Sequence, residues 1–82
     1  MSIEAMNFGE ALDCLKQGKK VARSGWNGKC LWLELQLPDA GSKMTLPYIF
    51  ISYPFDATNT PGARVPWLAS QTDLLAADWY EV

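Results

Sequence analysis

The sequence predicts an α+β fold in which a small antiparallel sheet packs with an N-terminal helix and a short C-terminal helix, all within one domain over residues 1–82. Three observations carry this. Phe8, Ala11, Leu12 and Leu15 recur at helical spacing, Lys29 to Leu37 alternates strictly, and two further β-rich runs, Tyr48 to Tyr53 and Trp79 to Val82, lie beyond polar excursions.

The first helix has a legible start and stop. Asn7 followed three residues later by Glu10 forms a capping-box pattern. Gly18 supplies the C-terminal stop, with Lys16, Lys19 and Lys20 placed at the negative end of the helix dipole. Val21-Ala22-Arg23 reads as a short strand, and Asn27-Gly28 as a tight turn, because both positions tolerate positive φ. In the strand that follows, Leu31, Leu33, Leu35 and Leu37 share the core face, while Trp32, Glu34 and Gln36 share the other. Trp32 on the more polar face is expected at or near a buried surface.

Pro38 to Pro47 and Pro54 to Gly62 read as loops. Arg64 to Trp67 resumes an extended segment, and Pro66 places it at a sheet edge or a strand end. Ser70, three residues before Asp73 and just ahead of Leu74 to Ala77, marks the start of a short second helix. Trp79 to Val82 then alternates as a terminal strand that can close the sheet.

Composition narrows the function. A chain of 82 residues is one small domain, and at that size folding buries only roughly 60–65% of the surface of the unfolded chain. Four tryptophans, three tyrosines and three phenylalanines are more than such a core easily encloses, so some rings are expected to face a ligand or a second subunit. A net charge of −2 argues against a DNA or RNA footprint, although Arg23, Arg64, Lys19, Lys20 and Lys29 suffice for a small anion. The longest apolar stretches fall far short of the ~20 residues that span a bilayer, so neither a membrane partner nor a location outside the cytoplasm is expected. Cys14 and Cys30 suggest neither a disulfide framework nor a zinc site.

The residues offer little for catalysis. With no histidine, the commonest general base and metal ligand is missing. Asp73 and Asp78, set on one continuous helix, would lie about 140° apart and share no face. No metal or other cofactor is expected. Binding is better supplied: Trp26, Trp67 and Phe8 provide flat apolar faces, and Arg23 and Arg64 bidentate cationic donors. The amides near Ser70 to Thr72 suit an anion, but Asp73 in the same turn would repel it, so Asp73 is expected to cap the helix or to accept from a ribose hydroxyl or base amine.

Three segments carry a resemblance. Met6-Asn7-Phe8-Gly9-Glu10-Ala11-Leu12, Arg23-Ser24-Gly25-Trp26-Asn27-Gly28-Lys29, and Pro66 to Trp79 with its Pro-Trp-Leu-Ala-Ser-Gln-Thr-Asp core together resemble the second Thoeris anti-defence family of small phage and prophage proteins. The resemblance implies a cytoplasmic homo-oligomer, typically a tetramer, that sequesters the cyclic ADP-ribose isomer made by Thoeris immune enzymes without cleaving it. It also implies that cyclic dinucleotides are accepted by related members at separate sites. By motif match, the implied ligand-binding residues are Phe8, Arg23, Trp26, Asn27, Trp67, Ala69, Ser70, Thr72 and Asp73. The chain departs from the shorter family pattern in loops 38–47 and 54–62. The rival expectation is a protein-interaction module that covers an immune effector with its Trp32 and Tyr48/Phe50 faces.

Overall fold

The computed structural model describes residues 5–26, 30–57 and 61–82. Helix α1 (Phe8–Lys16) begins as expected: the Asn7 side chain accepts from the Glu10 amide and the Glu10 carboxylate accepts from the Asn7 amide. Gly18 has φ 84°, the left-handed conformation that ends a helix at little cost only for glycine. The chain then enters β1 (Val21–Arg23) and a single 3₁₀ turn over Ser24–Trp26. The expected Asn27-Gly28 turn lies outside the described residues.

Strands β2 (Trp32–Gln36), β3 (Tyr48–Ser52), β4 (Arg64–Pro66) and β5 (Trp79–Glu81) complete one sheet in the order β4-β3-β2-β1-β5, with every neighbouring pair antiparallel. The terminal strand therefore closes one edge beside β1, and the Pro66 segment forms the other edge, where a missing N–H breaks no ladder. A pair of backbone bonds between Met6 and Trp79, 2.8 and 3.1 Å long, covers the outer side of β5.

Registry sorts the side chains into two faces. Val21 pairs with Leu33, which pairs with Ile51, and these stand on the side that α1 covers with Ala11 and Leu15. Trp79 completes this buried core. The alternation expected for β2 holds for Leu33, which is fully buried, and for the partly buried Leu31 and Leu35. Leu37 is the exception at 63% exposed, because it lies beyond the end of β2.

The opposite face carries Trp32, Glu34 and Gln36, paired with Ser52, Phe50 and Tyr48. Trp32 is half-buried there, donates its indole N–H to Glu34 at 2.7 Å and lies 5.1 Å below the Lys20 ammonium. That distance is within the range of a cation–π contact over one face of the ring.

Helix α2 (Gln71–Leu75) is short and is N-capped by Ser70, whose hydroxyl accepts from the Asp73 amide at 3.1 Å. Within loop 38–47, Asp39 ties its own turn by accepting from the Gly41 amide and the Ser42 hydroxyl.

Candidate functional site

Four aromatic rings form the centre of the site. Trp79 is fully buried and is surrounded by Phe8 from the start of α1, Trp26 from the 3₁₀ turn and Trp67 from the end of β4, with ring centroids at 5.4, 5.4 and 6.0 Å respectively. Trp26 and Trp67 meet Trp79 edge-on, at 79° and 86°, the favoured geometry for opposing ring quadrupoles. Phe8 and Trp67 also touch each other, 5.7 Å apart. The Trp79 indole N–H donates to the Asp73 carbonyl at 3.1 Å, so the central ring also anchors α2. Trp79 thus belongs to the core, and the three rings around it are only half-buried.

Beside this cluster lies an ionic brace. Arg23 donates through Nε to Asp78 Oδ1 at 2.8 Å, through Nη2 to Asp78 Oδ2 at 3.3 Å, and through Nη1 to Asp73 Oδ1 at 2.7 Å. Asp78 also accepts from the Gly25 amide at 2.8 Å, and Asp73 accepts from the Trp26 indole at 3.4 Å. Hydrogen bonds from Arg23 hold the Asp78 carboxyl below its ordinary range, against the opposing effect of partial burial, with the Gly25 amide adding to the shift. For Asp73, burial is the largest single influence and pushes upward, but the combined bonds from Arg23, Ser70 and Trp26 outweigh it and leave the carboxyl lowered. Bonding to Asp78 and then to Asp73 raises Arg23, so all three groups stay charged at neutral pH.

A groove of about 630 Å³ opens on the other side of the aromatic cluster. Phe8, Trp67, Ala69 and Leu74 form one part of its wall, Leu35 and Ile49 its floor region, and Lys16 contributes a cation. Its volume is in the range of small-molecule sites. Pro47, Tyr48 and Pro66 are shared with an adjoining apolar hollow of about 520 Å³ bounded by Met44 and Leu46, so loop 38–47 borders the groove.

The expected site residues therefore divide. Phe8, Trp67 and Ala69 line the groove, whereas Arg23, Trp26 and Asp73 form the brace behind Trp79. Ser70 serves as the cap of α2, and Ser70 and Thr72 are both exposed. Asn27 lies outside the described residues. Arg23, expected to be a phosphate donor, spends three of its N–H groups on Asp73 and Asp78. Arg64 is remote from it, on the opposite sheet face in a small hollow of about 130 Å³ with Gln36, Tyr48 and Phe50.

Nothing in the sequence alone marks Asp78, Trp79 and Lys16 as site residues. The helical angle of about 140° between Asp73 and Asp78 does not apply, because α2 ends at Leu75 and the chain turns before Asp78. The usable signal is the spacing from the Ser70 cap to the strand at Trp79, which leaves room for about two helical turns at most, and for fewer once the chain must reverse into the strand. Among the described residues there is no cluster of three metal-ligating side chains, and no helix is long and apolar enough to cross a membrane.

Comparison with known proteins identifies the family. Residues 6–82 match the family model of the Thoeris anti-defense 2-like domain, a span that includes all four rings and the whole brace. A relative named Thoeris anti-defense 2, from Bacillus phage SP01, is 43% identical over 83 aligned positions, covering 90% of this chain and 91% of the relative. The chain belongs to the Thoeris anti-defense 2-like family.

Proposed function

We propose that this protein counters Thoeris immunity by binding and holding a cyclic nucleotide signal, a cyclic ADP-ribose isomer, without cleaving it. The observation that carries this reading is the half-buried pair Phe8 and Trp67, braced against Trp79 on the wall of a groove of about 630 Å³. Flat rings already ordered by a buried neighbour offer stacking surfaces to a nucleobase at low entropic cost. Lys16 supplies a charge for the ligand's phosphates. Two features support non-cleavage: the chain has no histidine, and the carboxylates of Asp73 and Asp78 are held by Arg23, with pKa values lowered, which disfavours them as proton donors. Cyclic dinucleotides are a further ligand class. The site of action is the cytoplasm of the infected bacterium, where the signal is made.

The working form is a homo-oligomer, a tetramer by family resemblance, a reading supported by Met44 and Leu46, which stand exposed at the hollow adjoining the groove, and by the exposed Leu68, which follows Trp67 in the chain. Such side chains are expected to be covered when subunits assemble. A light-scattering mass of 9.1 kDa at micromolar concentration excludes this assembly.

The test of capture is to load the purified protein with cyclic ADP-ribose isomers, remove unbound nucleotide, denature it by heat and weigh what is released. Recovery of the intact cyclic molecule in stoichiometric amount supports capture, and a linear hydrolysis product formed at more than one turnover per site refutes it. Exposed apolar residues such as Leu68 and Leu75 favour a second reading, a surface that covers an immune effector directly. Under that reading no nucleotide is released, and the protein inhibits the effector even when signal is in large excess.

A further inference from the structure

The Ser24–Trp26 turn is held from one residue far along the chain. The main-chain carbonyl of Asp78 accepts from the Ser24 amide at 3.1 Å, and its carboxylate accepts from the Gly25 amide at 2.8 Å and, through both oxygens, from Arg23. The next residue, Trp26, leans edge-on against Trp79 and donates its indole N–H to Asp73, which shares Arg23 with Asp78. A side chain on Gly25 is excluded by the same contact, because a Cβ there would lie 2.9 Å from both Arg23 Nη2 and Asp78 Oδ2. Asp78 itself does not line the groove.

We propose that Asp78 is a positioning residue: it fixes the Ser24–Trp26 turn, and with it the orientation of the Trp26 indole, by bonding the turn's amides and by holding Arg23 between itself and Asp73. Its consequence for ligand binding rests on the capture reading above, whereas the placement of Trp26 does not. Arg23 from β1, Asp73 from α2 and the Trp26 indole are the polar groups that meet in this brace. An amide in place of the carboxylate keeps its shape but removes the charge and turns one acceptor into a donor, which in either orientation of the amide faces an Arg23 N–H.

Indole N–H resonances, assigned with Trp26→Phe and Trp32→Phe, give a readout that needs no ligand. In Asp78→Asn the Trp26 indole should shift and exchange with solvent several-fold faster, while that of Trp32, on the opposite face, stays in place. Asp78→Glu retains the charge for Arg23 but overshoots the Gly25 amide by a methylene, and should show the same signature with smaller loss of stability. An unchanged Trp26 resonance in both variants overturns the proposal. So does loss of the Trp26 and Trp32 signals together in both variants, which assigns Asp78 to the fold as a whole. In calorimetry with cyclic ADP-ribose isomers, Asp78→Asn should weaken binding only about two- to threefold, because Trp26 stands outside the groove and bears on it only through Trp79, which backs Phe8 and Trp67. It should have no further effect in a Trp26→Ala background. If the wild type binds none of these nucleotides, the capture reading fails and the indole signature still decides the role of Asp78.

Discussion

Replacing Trp67 by alanine separates the two roles the structure gives this ring, support of the fold and contact with a ligand. In the fold it makes two aromatic contacts, edge-on to Trp79 at 6.0 Å and tilted to Phe8 at 5.7 Å. Each such pair contributes about 0.5–1.5 kcal/mol beyond area burial. Because Trp67 is only half-buried, the total loss should be roughly 2–3 kcal/mol, below the 3–5 typical of full burial. A domain of this size has roughly 4–12 kcal/mol of stability, so the variant should remain folded. For binding, loss of one stacked ring should weaken capture of a cyclic ADP-ribose isomer by about 1–3 kcal/mol, or roughly 5- to 150-fold in Kd. Urea unfolding measures the first effect, and calorimetry on folded protein the second. Trp67→Phe keeps a stacking face and should recover most of the affinity. Glu34→Gln, on the opposite face beside Trp32, should leave affinity unchanged. A folded Trp67→Ala variant with wild-type affinity and oligomeric state refutes the groove as the binding site.

Three further outcomes follow from the brace. Arg23→Met leaves Asp73 and Asp78 as neighbouring anions without their cation; with the three side chains 13%, 14% and 32% exposed, the cost should be about 2–4 kcal/mol in urea unfolding, short of the figure for complete burial. Both carboxyls have folded pKa values depressed below their unfolded ones, so the stabilisation they contribute is present above the ordinary carboxyl range and is lost as pH falls through the lower, folded values. Unfolding free energy should thus decline below about pH 4, less steeply in Asp78→Asn, and a rise on acidification would contradict the assignment. Gly25→Ala should cost about 1–3 kcal/mol by forcing the locked ends of Arg23 and Asp78 apart, whereas Gly18→Ala, with open space around it, should cost only the left-handed backbone penalty of about 1–2 kcal/mol.

Local chemistry carried most of the secondary structure. The Asn7–Glu10 box, the Gly18 stop, the Ser70 cap and the edge position of Pro66 all depend on groups within a few residues of one another, and each is found where the sequence places it. Strand alternation identified Leu33 and set Trp32 on the other face, since the period of two depends only on the backbone. It could not show that Leu37 lies past the end of its strand, because that depends on where the neighbouring elements stop.

The site was less legible, for the same reason at longer range. Aromatic surplus and motif resemblance brought Phe8, Trp26 and Trp67 forward, but nothing in the linear order distinguishes Trp79 as the buried ring on which all three rest. Arg23 read as a free donor because its acceptors are 50 and 55 residues away, Asp73 and Asp78, and come within bonding distance only when β5 pairs with β1. The sequence by itself determined which segments become helix and strand and that the rings exceed what the core needs. Tertiary structure alone decided which ring is enclosed, which are left on the groove and which cation is already occupied, because those outcomes depend on sheet order and registry.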